Sequence, residues 1–130
     1  MLDKMIRIAV TGALALTVMA VGSSAAIAKD GDVIRTGQCS GSSDWKLKLS
    51  PDNGKIELEF EVDSNKSGQN WRVKLFHDGN RFFTGTRTTG GASGSFTVRK
   101  VVANHNGTDL FKAKAVNQAS GETCVGTASI

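Results

Sequence analysis

The chain of 130 residues has no tyrosine, one proline, two cysteines and two histidines. It is too short for a large multidomain enzyme. With one proline it is not a collagen-like polymer, despite fifteen glycines. No stretch places apolar residues at i, i+3, i+4 and i+7 over three turns, which excludes a coiled coil. What is present is 39% hydrophobic and 22% charged residues, with six Phe and two Trp. That mixture suits one strand-and-turn domain, not a disordered tail or a multi-pass membrane protein.

The first thirty residues read as an export signal. Lys4 and Arg7 precede an apolar run from Ile8 to Val21, and Gly22-Ser23-Ser24-Ala25 leads into Ala26-Ile27-Ala28. A positive start, a short apolar run and a small-x-small end make a secretory signal peptide, cleaved after Ala28. The run is short of the roughly twenty residues that span a bilayer. There is no twin arginine, no cysteine beside the cleavage site and no apolar tail before Ile130. The mature chain, residues 29–130, is therefore expected to be secreted, extracellular and without a membrane span. Losing Lys4, Arg7 and Asp3 from sixteen bases and twelve acids leaves a net charge of +3. That is too sparse for a specific nucleic-acid binder.

Cys39 and Cys124 form an even pair in a chain bound for an oxidising compartment, so a disulfide is expected. The spacing offers no CxxC and no HxxxH, leaving no basis for a reactive or metal-bound thiol.

Period two dominates the mature region. Trp45, Leu47 and Leu49 alternate with Lys46 and Lys48; Ile56, Leu58, Phe60 and Val62 alternate with Glu57, Glu59 and Glu61. Trp71, Val73 and Leu75 make a third row, residues 81–87 a fourth strand, and Phe96 with Val98 a fifth. Phe111, Ala113 and Ala115 mark a sixth, and Cys124, Gly126, Ala128 and Ile130 a last strand. Pro51-Asp52-Asn53-Gly54 reads as a β-turn, and Asp78-Gly79 as a tight hairpin. Residues 65–68, 90–94 and 104–107 are polar loops. Together these predict an all-β antiparallel sandwich of about seven strands, with a small β-barrel as the alternative.

Trp71 on the third strand, and Phe111 to Asn117 followed by Ser120-Gly121, resemble an immunoglobulin-like or fibronectin type III-like sandwich over about residues 45–130. There is no tyrosine for a tyrosine corner, and the cysteine pair joins the leading segment to the last strand instead of the second to the sixth. Cys39-Ser40-Gly41, Trp45-Lys46-Leu47, Asn70-Trp71-Arg72-Val73 and Gly121-Glu122-Thr123-Cys124 resemble small secreted proteins of Gram-positive bacteria. That resemblance implies export, one disulfide and a β-sandwich, and no activity.

Chemistry is scarce. His77 and His105, each in or beside a polar turn, read as solvated side chains. Glu57, Glu59 and Glu61 share a strand face beside Lys46 and Lys48, where cross-strand charge pairing accounts for them. The scattered Asp30, Asp32, Asp44, Asp52 and Asp63 make no calcium loop. No catalytic, cofactor-binding or metal-ligating residue is expected, and the chain reads as a non-enzyme. One surface stands out. If the third and sixth strands are neighbours, Arg72, Lys74, Lys112 and Lys114 form a basic face, extended by Arg81 and Arg87. The expected function is a secreted binding module, its partner unidentified but either an anionic cell-wall polymer reached through that face or a protein. The alternatives are a hydrolase inhibitor presenting loop 88–94 or 104–108, and a carbohydrate-binding module stacking sugars on Trp45 or Trp71.

Overall fold

Alternation of apolar and polar side chains commits each segment to one buried and one wet face, and two such faces must meet. The computed structural model describes residues 29–130; the expected signal peptide, residues 1–28, lies outside them. Eight strands occur among the described residues: β1 (Val33–Gln38), β2 (Asp44–Asp52), β3 (Lys55–Asp63) and β4 (Asn70–His77) are followed by β5 (Asn80–Thr88), β6 (Ser95–Ala103), β7 (Leu110–Asn117) and β8 (Thr123–Ser129). They form two antiparallel four-stranded sheets, ordered β1-β2-β3-β6 and β5-β4-β7-β8. The sheets are separate, so the fold is a sandwich and not a closed barrel. Among the described residues no helix is long and apolar enough to cross a membrane.

The predicted rows supply the core. Leu47, Leu49, Leu58, Phe60 and Val62 from the first sheet meet Trp71, Val73, Leu75, Phe111 and Ala113 from the second, all fully buried. Cys39, just after β1, is joined to the buried Cys124 of β8. The expected disulfide therefore ties one sheet to the other.

Two local readings are corrected. β1 is an eighth strand that alternation did not reveal, because its inward row is Val33, Arg35 and Gly37. Gly37 is there for space: a Cβ at that position would lie 2.7 Å from the Trp45 indole, and one at Gly126 of β8 would lie 2.5 Å from it. The indole is held between two glycine backbones, one from each sheet. The second correction is Pro51, which lies in β2 opposite Ile56 and not in the turn. β1 pairs only as far as Leu49, so the missing N–H of Pro51 costs no bond to β1. The turn is the pair Asn53-Gly54, both at positive φ as a type I′ hairpin requires.

The loops 64–69 and 89–94 close one end of the sandwich. Ser64 Oγ donates to Gly94 O at 3.1 Å, and Thr89 Oγ1 to Lys66 O at 2.5 Å. Gly94 has φ 67°, and a Cβ there would lie 2.2 Å from Lys66 N. Because backbone, not a flexible side chain, occupies that space, Gly94→Ala is expected to cost about 2 kcal/mol or more. Urea denaturation checks this, and a loss under about 0.5 kcal/mol would contradict the packing described.

Candidate functional site

The pairing of β4 with β7 sets Lys74 opposite Lys114 and Phe76 opposite Lys112, on the same outward side as Arg72. Arg81 of β5 stands opposite Phe76. The other outward positions of these four strands are Thr, Ser, Asn, Val and Leu. Arg72, Lys74, Arg81, Lys112 and Lys114 thus share a face without a carboxylate, and among the described residues none of them makes an ion pair. Lys112 Nζ lies 5.4 Å from the centre of the Phe76 ring, a cation–π contact. Exposed Leu110 and Val125 add apolar area to the same sheet.

Arg87 does not extend this face. It pairs with Trp71 and so shares that residue's inward side. At the edge of the sandwich its guanidinium lies 5.2 Å from the Phe83 ring centre, with Lys100 Nζ at 4.4 Å from the same ring.

The outer face of the other sheet is of mixed sign, with ion pairs along its middle and Asp44 facing Asp63 at one end. Arg99 of β6 bridges Glu57 at 2.8 Å and Glu59 at 3.2 Å, while Lys46 reaches Glu61 at 3.9 Å. Cross-strand pairing of the three glutamates therefore holds, though Lys48 turns to Asp32 at 3.7 Å and leaves two of them to Arg99. Sequence reasoning missed Arg99 because β6 reaches β3 through a long connection.

Trp71 is 0% exposed and offers no stacking platform, whereas the Trp45 indole is only partly buried, with the Gly37 and Gly126 backbones against it. A groove of about 440 Å³ is lined by Trp45 together with Gln38, Asp44, Lys46, Glu61 and Asp63.

A second cluster lies where β4 ends. Comparisons with family models, curated proteins and solved structures found no match to this chain. His77 follows Trp71, Val73 and Leu75 at the same parity, so it points inward and is 7% exposed, correcting the expectation of a solvated side chain. Its ring stacks on Phe111 at 4.3 Å and on His105 at 4.0 Å. Its Nε2 donates to Asp109 Oδ2 at 2.6 Å, and His105 Nδ1 donates to Asp78 Oδ2 at 2.6 Å. His105 N–H also donates to Asp109 Oδ2 at 3.0 Å. The Asp78 carboxyl is held below its ordinary value, first by the N–H of Leu110, then by the hydrogen bond from His105 and the nearby imidazoles; partial burial opposes them. No motif spacing announces this cluster, since 28 residues separate the histidines and only the β4–β7 pairing brings the 104–109 loop to the β4–β5 turn. The parity of His77 was the one available signal.

Proposed function

We propose that the chain is an exported, non-catalytic binding module that docks the outer face of β5-β4-β7-β8 onto an anionic cell-wall polymer. The observation that carries this reading is the separation of charge: five unpaired cations and no carboxylate on one sheet face, and mixed, partly paired charges on the other. A flat single-sign surface attracts a polyanion at long range without a pocket. Export is supported by the Cys39–Cys124 bridge, which persists in oxidising compartments. The immunoglobulin-like reading is supported by strand neighbours. Counting seven strands from β2, the third, sixth and seventh lie side by side, as do the first, second and fifth.

Each cation near an anionic surface is worth about 1 kcal/mol. Lys112→Glu with Lys114→Glu is expected to weaken retention on isolated cell walls at least about thirtyfold at low salt. The same reversal at Lys46 and Lys48 on the opposite face should leave retention unchanged. Co-sedimentation across a salt series measures both. Equal losses from the two faces, or none from Lys112 and Lys114, would remove the basic face from the account.

A further inference from the structure

We infer that His77, Asp78, His105 and Asp109 form a binding site for a divalent late first-row transition ion, with Zn²⁺ the ion their donors fit. The proposal is independent of the basic face. Both histidines of the chain are in this cluster. The four donor atoms lie within 4.8 Å of one another. His77 Nε2 is 2.6 Å from Asp109 Oδ2 and 3.6 Å from Asp78 Oδ2, and His105 Nδ1 is 2.6 Å from Asp78 Oδ2 and 3.9 Å from Asp109 Oδ2. A tetrahedral ion with bonds of about 2.0–2.2 Å needs donors about 3.3–3.6 Å apart. The two longer separations are close to that already. The two short ones are hydrogen bonds, which open by under about 1 Å when an ion replaces the shared protons.

The buried carboxylate is an independent observation. Asp109 is 0% exposed, yet its Oδ1 has no hydrogen-bond partner while Oδ2 serves both His77 Nε2 and the N–H of His105. A carboxylate wholly out of water is costly to keep charged, and a cation bound at its Oδ2 offsets that cost. The ligands are also braced from behind, as metal ligands usually are. Leu110 N–H donates to Asp78 Oδ1 at 2.7 Å, and the main chain of Asp109 exchanges hydrogen bonds with Ile130 at 2.8 and 3.0 Å. Phe111 closes the floor beneath His77.

Two imidazoles and two carboxylates select a borderline ion such as Zn²⁺ over Ca²⁺ or Mg²⁺, which prefer all-oxygen shells. Lone pairs lie in the imidazole plane, so stacked rings cannot both face one ion. His105 must tilt out of the stack, and its side chain, 49% exposed on a loop, has the room. The ion would then link the β4–β5 turn to the 104–109 loop.

The test uses tag-free chain 29–130 with its disulfide intact, stripped with chelator and titrated with ZnCl₂. One ion per chain is expected, with the melting temperature raised by about 10 °C or more at a hundredfold excess over Kd. CaCl₂ and MgCl₂ should give no comparable shift. His105→Ala and Asp78→Asn, both at partly exposed positions, should each weaken Zn²⁺ at least tenfold, and Co²⁺ should give the visible absorption of a tetrahedral site. Loss of the imidazole stacking should appear as a shift of the His105 ring resonances on adding Zn²⁺. Absence of stoichiometric binding below about 10 µM, or binding indifferent to both substitutions, overturns the proposal and leaves a hydrogen-bonded His–Asp network.

Discussion

Trp71→Ala is expected to lower the stability of the domain by about 3–5 kcal/mol. The indole is wholly buried on β4 and leans on Phe96 of the opposite sheet, with ring centres 6.3 Å apart and planes at 51°. Its Nε1–H donates to Gln69 Oε1 at 3.4 Å, a long bond that contributes little, so the loss comes from the cavity. Trp71→Phe keeps a ring against Phe96 and should recover more than half of that loss. Domains of this size have on the order of 5–15 kcal/mol in total, so the alanine variant approaches the threshold of folding. Urea denaturation followed by circular dichroism measures the effect. A loss near that of a surface substitution, within about 0.5 kcal/mol, would mean that the inward row of β4 is not the centre of the core.

The second large effect belongs to the disulfide. Cys39 and Cys124 are 85 residues apart. Closing a loop of that length removes about 4.6 kcal/mol of unfolded-chain freedom in the entropy model, and measured losses on removing native bridges run about 2–5 kcal/mol. Cys39→Ala with Cys124→Ala is expected to fall in that range. The parent chain under strong reductant should fall with it, because both treatments free the same loop. Cys124 is fully buried among core residues while Cys39 is only half-buried, so Cys124→Ala alone should cost more than Cys39→Ala alone. A double variant as stable as the oxidised parent would show that hydrophobic packing alone fixes the two sheets together.

The inward rows were readable in the residues because a strand with one wet face cannot avoid alternating. β3 states this most plainly, and β4 and β7 follow. What alternation could not supply was anything decided by another strand. Gly37 and Gly126 look like breaks in a pattern until the Trp45 indole is placed between them. Arg99 looks like an ordinary exposed base until β6 lies against β3 and sets it beside Glu57 and Glu59. Arg87 reads as an extension of the basic face, yet its pairing with Trp71 gives it the opposite side. The basic face was foreseen because it needed only one long-range pairing, β4 with β7. The His–Asp cluster needed that pairing, the β4–β5 turn and the return of the 104–109 loop at once, and charge in a polar turn carries no hint of such convergence.

The sulfur bridge also fixes how the molecule would carry load. Anything pulling on the two chain ends transmits tension through Cys39, the S–S bond and Cys124, bypassing residues 40–123 altogether. Within the sandwich only β1, before the first cysteine, and the part of β8 beyond the second can peel. The slack stored between them, about 300 Å of extended backbone, stays inaccessible to a stretched tether until the bond is reduced.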